Sequence, residues 1–260
     1  MNILDQIIAS KKREVALKKS IIPIKQLEQS VLFERKTNSL VYNLSTSSSG
    51  IIAEHKRRSP SKSIINHSHS VEDVVRSYEN GGASGISILT DSQYFGGSLD
   101  DLLVARATTS LPLLRKDFII DDYQIIEAKA FGADIILLIA AVLNKAEIKQ
   151  FSELAKSLDL EVLIEIHNQE ELEKSVMPSL DLIGVNNRNL KTFEVDLEFS
   201  KQLATNIPKE FIKISESGID SAESVSELLK YGFKGFLMGE YFMKSENSEY
   251  TMKEFIKKLS

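Results

Sequence analysis

The feature that most constrains the fold is a rhythm. From about residue 51 onward, short apolar runs alternate eight times with segments of helical period. The apolar runs begin near Ile51, Gly85 (GISIL), Leu111 (LPLLRKD), Asp134 (DIILLIA), Glu161 (EVLIEI), Leu182 (LIGV), Phe211 (FIKIS) and Gly235 (GFLMG). Between and after them the spacing predicts helices over 71–80, 98–108, 122–131, 145–157, 169–176, 196–204, 221–231 and 251–259. DIILLIA is almost continuously apolar, as strands of a parallel sheet covered on both faces are. Eight such units predict an α/β chain folded as a (β/α)8 TIM barrel. A doubly wound open sheet is the alternative, and the lack of a G-x-G-x-x-G turn after the first strand weighs against it.

Ahead of the rhythm, residues 1–40 read as amphipathic helix, with Ile3, Ile7, Ala16 and Leu17 on one face and a second short helix over 24–35. Residues 44–50 (LSTSSSG) read as a polar linker into the first strand. The expectation is one barrel domain over 1–260, with 1–48 as a helical extension packed on it. The chain of 260 residues leaves no room for a second fused barrel enzyme.

Composition removes several chemistries. There is no cysteine, which excludes disulfides, thiolate metal sites and a cysteine nucleophile. A net charge of -5 argues against a nucleic-acid binder, the Lys11-Lys12-Arg13 and Lys56-Arg57-Arg58 clusters notwithstanding. The apolar stretch over 3–8 is too short and wrongly ordered for a signal peptide, and no run is long enough to span a membrane. These features imply a cytoplasmic protein acting on a small molecule.

Barrels of this kind carry their sites at the C-terminal strand ends. The first strand ends in IIAEHKRRSPSK. Strand side chains alternate faces, so Glu54 and Lys56 point one way and His55 the other. Two inward charges are costly to bury unless they pair with each other and with a ligand. The other strand ends add Lys116, Glu165, Asn186 and Arg188, with apolar Phe95, Leu114, Phe118, Leu137 and Leu190 between them. Ser59, in the Ser-Pro-Ser loop, joins the substrate-contacting set. This mixture suits an aromatic, anionic substrate undergoing acid/base chemistry. Ser217-Gly218 and Gly239-Glu240, after the seventh and eighth runs, have the turn chemistry that lets backbone N–H groups approach a phosphate. His67 and His69 have a metal-like spacing but sit in a polar loop without acid or thiol partners, so no metal is expected. His167, after the fifth run, reads as a helix-capping or surface residue, with a place lining the mouth as the alternative.

Taken together, IIAEHKRRSPSK, SILTD with YFGGS, LLRKDFIIDDYQI, EVLIEIH, IGVNNRNL, SESGI and FLMGE resemble the indole-3-glycerol-phosphate synthase family of tryptophan biosynthesis. The resemblance spans essentially the whole chain, N-terminal helices included. It implies conversion of 1-(2-carboxyphenylamino)-1-deoxyribulose 5-phosphate to indole-3-glycerol phosphate, with loss of carbon dioxide and water. It implies no metal, no organic cofactor and a monomeric protein. Residue by residue, it makes Lys116 the general acid of ring closure and Glu165 an acid/base group in dehydration. Glu54 and Lys56 match the strand-one pair, with Lys56 near the carbonyl or phosphate end. Asn186 and Arg188 match the residues holding Glu165 and the anthranilate carboxylate, while Ser217, Gly218 and Gly239 match phosphate contacts. His55, Arg58 and Ser63 depart from the family pattern, and Arg58 and Ser63 bear on the mobility of the first loop. The related phosphoribosylanthranilate isomerase chemistry needs a thiol, which is absent. A non-catalytic phosphate-binding barrel leaves inward Lys116 and Glu165 unexplained.

Overall fold

The computed structural model describes residues 2–60, 69–189 and 194–259. Three helices come first: α1 (Ile3–Ile21), α2 (Ile24–Leu27) and α3 (Leu40–Thr46). Strands and helices then alternate as β1 (Ile51–His55), α4 (Val71–Gly81), β2 (Gly85–Leu89), α5 (Ser92–Phe95), α6 (Leu99–Thr108), β3 (Leu113–Lys116) and α7 (Asp122–Ala130). The chain continues through β4 (Ile135–Ile139), α8 (Lys145–Ser157), β5 (Glu161–Ile166), α9 (Gln169–Ser175), β6 (Leu182–Asn186) and α10 (Leu197–Ala204). It ends with β7 (Ile212–Glu216), α11 (Ala222–Leu229), β8 (Phe233–Met238), α12 (Glu240–Met243) and α13 (Ser248–Lys257). The eight strands are parallel and pair in chain order, and β8 returns to β1 through Ile51↔Phe236 and Ala53↔Met238. The barrel expected from the rhythm is therefore present. Among the described residues no helix is long and apolar enough to cross a membrane.

Strand parity sorts the side chains into two layers. Ile52, Leu114, Ile135, Leu137, Leu163, Leu182, Ile214 and Leu237 fill the barrel interior. Their strand neighbours, such as Ala53, Ile136, Ile164 and Phe236, pack outward against the helices. Lys116, Glu165 and Glu216 continue the inward parity of Leu114, Leu163 and Ile214, so they reach the mouth of the barrel directly above the interior layer. Helices begin where a side chain caps them. Ser70 accepts from the Asp73 N–H and Ser98 from the Asp101 N–H, while Asn144 and Glu147 cap each other's backbone.

The N-terminal segment departs from the sequence expectation in three ways. The second helix stops after four residues instead of running over 24–35. The linker expected over 44–50 begins with the last turn of α3. This helix exists because Ser39 caps it and Glu161, at the start of β5, accepts from the N–H groups of Leu40 (2.8 Å) and Val41 (3.1 Å). Leu40 and Leu44, one helical turn apart, thereby plug the bottom of the barrel. Burying each contributes about 2 kcal/mol. Third, α1 buries Ile7, Lys11 and Val15, a strict i, i+4, i+8 line, and leaves Leu17 61% exposed.

Lys11 explains that choice of face. Its ammonium is 1% exposed and meets Asp117 (3.0 Å), Asp91 (3.1 Å) and Glu14 (2.8 Å). Asp117 in turn accepts from Arg115 (3.1 Å), which also reaches Glu127 (2.8 Å). A buried charge is tolerated only when compensated on all sides, and this arrangement compensates Lys11 while fastening α1 to the ends of β2 and β3.

Candidate functional site

At the C-terminal end of the barrel lies a cavity of about 700 Å³. Its charged floor is built by strand-end residues of inward parity. Lys116 Nζ lies 2.5 Å from Glu216 Oε2 and 3.1 Å from Glu165 Oε2. Asn186 Nδ2 donates to Glu165 Oε1 at 3.2 Å, which fixes the orientation of that carboxylate. Lys56 Nζ donates to Glu54 Oε1 at 2.5 Å, so the strand-one pair of the sequence reading does form. His55 is buried on the opposite face, where burial and Arg57 lower its pKa to about 4.

Electrostatics separate the two carboxylates that share Lys116. Burial alone would raise both. At Glu165 the Lys116 ammonium, the His167 ring and the Asn186 amide outweigh burial and hold the carboxyl below its ordinary value. At Glu216 burial dominates, Lys116 offsets it only in part, and the charges of Glu165 and Glu54 push the carboxyl further up. Burial likewise opposes charge on Lys116, but Glu216, Glu165 and Glu54 together hold its ammonium above the ordinary lysine value. An ionised acid, a readily protonated acid and an ammonium within hydrogen-bond reach make a site suited to moving protons.

Glu216 was not singled out in the sequence, where it reads as one member of SESGI. Its parity with Ile214 was the available signal. The structure adds a second one, because Gly184 on the adjacent β6 leaves no room for a side chain. A Cβ there would lie 2.2 Å from Glu216 Oε1, a buried atom without a hydrogen-bond partner among the described residues.

Around this floor the cavity is walled by Ser59, Phe95, Phe118, Leu137 and Arg188. The Phe95 and Phe118 rings lie 6.0 Å apart at a tilt of 38°. Leu114 does not reach the cavity; it sits fully buried one layer below Lys116, in the barrel interior. Leu190 lies outside the described residues, as do Ser63 and His67. The sequence reading missed Ile3, Leu4 and Ile7, which α1 brings to the same cavity. No local pattern announces that contribution, since it depends on where α1 docks. Arg58 donates to the carbonyls of Ser92 (2.7 Å) and Gln93 (2.9 Å), tying the first loop to the second. His167 is not a surface residue: its side chain is 12% exposed, and its buried Nε2 lies 3.4 Å from Glu165 Oε1.

Ser217, Gly218, Gly239 and Glu240 line the cavity opposite the apolar wall. Ser217 (φ 70°) and Gly218 (φ 68°) are both left-handed, which turns the chain sharply after β7. For a serine this conformation costs about 1 kcal/mol. Asn187 holds it by donating to the Ser217 carbonyl at 2.7 Å and to Ser215 Oγ at 3.0 Å. The Glu240 carboxylate is taken by Lys244 at 2.5 Å. Among the described residues no three His, Cys, Asp or Glu side chains are grouped to hold a metal ion.

Comparisons with known proteins identify the family of the whole chain. The family model described as indole-3-glycerol phosphate synthase matches residues 4–255. The chain belongs to the indole-3-glycerol phosphate synthase family. An indole-3-glycerol phosphate synthase of Bacteroides thetaiotaomicron is 48% identical over 256 residues, covering 98% of each chain. One from Bacillus cereus is 47% identical over 247 residues, covering 94% of each. Among solved structures, a thiamine phosphate pyrophosphorylase from Pyrococcus furiosus superposes with a TM-score of 0.61 at 18% identity, over 82% of this chain and 96% of the other. That likeness concerns the barrel alone. Family membership agrees with the resemblance carried by the strand-end motifs, in which Glu54, Lys56, Lys116 and Glu165 stand at the ends of β1, β3 and β5.

Proposed function

We propose that this chain closes the indole ring, converting 1-(2-carboxyphenylamino)-1-deoxyribulose 5-phosphate to indole-3-glycerol phosphate, carbon dioxide and water in tryptophan biosynthesis. One observation carries the reading. A lysine ammonium is shared by two buried carboxylates at the floor of a cavity whose walls are aromatic and aliphatic. Attack of the aromatic ring carbon on the ketone places negative charge on oxygen, and Lys116 is positioned to protonate it. Loss of the carboxylate as carbon dioxide restores aromaticity. Glu165, ionised and aimed by Asn186, then takes a proton from the substrate while Lys116, recharged to ammonium, protonates the hydroxyl that departs as water. Phe95, Phe118 and Leu137 suit the flat ring, with Ser59 beside them, and Arg188 suits its carboxylate. Glu54 holds Lys56 toward the carbonyl or phosphate end. The backbone at Ser217, Gly218, Gly239 and Glu240 suits the phosphate, with the Ser217 hydroxyl available to the reacting end.

The reading takes residues 1–260 as one catalytic unit, with 1–48 packed on the barrel, acting as a cytoplasmic monomer without nucleic acid. The contribution of α1 to the cavity supports the single unit, and bacterial relatives of matching length support the setting. Purified protein given the carboxyphenylamino-deoxyribulose phosphate should produce indole fluorescence with one carbon dioxide released per product. A folded protein that binds the substrate and leaves it unchanged would make this a binding barrel and overturn the proposal.

Glu165→Gln tests the order of steps. Dehydration should become rate-limiting, so a decarboxylated, still hydroxylated intermediate should build up in rapid-quench samples of a single turnover. Equal slowing of carbon dioxide release and indole formation would remove Glu165 from the base role.

A further inference from the structure

A second cavity of about 570 Å³ lies beside the first, and the two share Leu4, Asn186 and Arg188 as a common wall. Glu165 lines only the first cavity; His167 and Glu171 line only the second. His167 stands between these two acids. Its Nε2 is 3.4 Å from Glu165 Oε1, and its Nδ1 is 3.3 Å from Glu171 Oε2. The same Glu171 oxygen accepts from the His167 N–H at 2.7 Å, which fixes the ring against α9. Nε2 is buried and has no hydrogen-bond partner of good geometry among the described residues. The imidazole thus has one nitrogen anchored and the other beside the carboxylate of the first cavity, within a small ring rotation of a hydrogen bond to it.

Resting on the function proposed above, we propose that His167 is a positioning residue that loads protons onto Glu165 from the solvent side of the second cavity. The stoichiometry asks for such a route. The substrate carboxylate leaves as neutral carbon dioxide, so each turnover takes up one proton. Between ring closure, which spends the Lys116 proton, and dehydration, which needs Glu165 ionised, the imidazolium gives its Nε2 proton to the Glu165 carboxylate and remains as the neutral Nδ1–H form held by Glu171. Glu165 passes that proton to the Lys116 amine at 3.1 Å, restoring ammonium and carboxylate. A solvent proton reaching the second cavity recharges the ring. Several charges face the imidazole: Glu165 on β5, Glu171 on α9, Glu216 on β7, and Arg188, Glu194 and Asp196 after β6. Burial opposes charge on the ring, but Glu171, Glu165 and Glu216 outweigh it and hold the pKa above the ordinary histidine value of about 6.5. The ring therefore keeps its proton to higher pH than an ordinary histidine and loses it as pH rises further.

His167→Asn and His167→Gln, assayed against wild type with the same substrate, test this. Both should lower kcat about tenfold with KM within about twofold, since neither amide carries a titrating proton. Both should lose the alkaline limb of the wild-type kcat profile that reports His167, and added imidazole should restore much of the lost rate. A His167→Gln enzyme with wild-type kcat and pH profile would overturn the proposal. So would a loss that no buffer relieves and that tracks a lower melting temperature, because that marks a structural role. Wild-type turnover reports on the proposed function, whereas the ratio of variant to wild type reports on His167. Coupling is also readable without turnover, by NMR titration of the His167 ring. Its pKa should fall in Glu165→Gln, and an unchanged titration would remove Glu165 as its partner.

Discussion

Replacing Lys116 by methionine is expected to lower kcat about 10³-fold or more while changing substrate binding by less than about tenfold. Lys116 is the ammonium that both Glu165 and Glu216 contact. Methionine keeps the length and apolar stem, so packing against Leu114 and the barrel interior survives. What disappears is the proton donor and the charge that lets two buried carboxylates coexist. Once it is gone, one of them should take up a proton, since two anions at that separation cannot both stay ionised without a cation. The melting temperature should therefore fall far less than the rate. Steady-state kinetics with the carboxyphenylamino-deoxyribulose phosphate, beside a thermal melt, separates the two effects. A variant retaining most of the wild-type turnover would exclude Lys116 from the mechanism.

Lys11→Met is expected to have the opposite signature, a large loss of stability. Breaking a buried ion pair by removing one partner costs about 3 kcal/mol or more. For a chain of this size that corresponds to a fall of about 10 °C in melting temperature. Here Asp91 loses its cation and Asp117 is left with Arg115 alone, both carboxylates being nearly inaccessible to solvent. The pH dependence follows. Burial alone would raise the Asp117 carboxyl, but Lys11, Arg115 and the Thr90 hydroxyl overcome burial and hold it well below the usual carboxylate range. A carboxyl depressed in the folded state adds stability that is full above the unfolded value of about 3.9, and it is lost as pH falls below that point. In Lys11→Met the Asp117 carboxyl moves back up, so this contribution shrinks and the acid limb of stability against pH flattens. Thermal melts from pH 3 to 8 read both effects. Equal stability of the two proteins at pH 7 would contradict the anchoring role of Lys11. The change should also raise KM, because α1 carries Ile3, Leu4 and Ile7 into the cavity.

These two lysines show where sequence reading succeeds and where it stops. Lys116 was legible because it ends an apolar run and shares parity with Leu114, both local properties. Lys11 sits in Lys-Lys-Arg and reads as one of three solvated charges, yet α1 buries it alone against the ends of β2 and β3. Leu114 shows the converse error. Its parity was right and its depth was wrong, because parity gives the face of a strand but not the layer along the barrel axis. Leu40 fell at the end of the segment read as helix and Leu44 at the start of the one read as linker, and the helix that joins them was missed because it is held by Glu161, which is 121 residues from Leu40 in the chain.

By itself the sequence determined the eightfold alternation, the closed parallel barrel and the inward direction of Glu54, Lys56, Lys116 and Glu165. All of these follow from the two-residue period of strands and the 3.6-residue period of helices, which operate within a few positions of the chain. Tertiary structure alone decided that Glu216, 100 residues from Lys116, competes with Glu165 for the same ammonium. It also decided that His167 faces both Glu165 and Glu171, and that α1 completes the cavity. Ionisation depends on distances across the barrel mouth and on exclusion of water, and both arise only when β8 closes on β1.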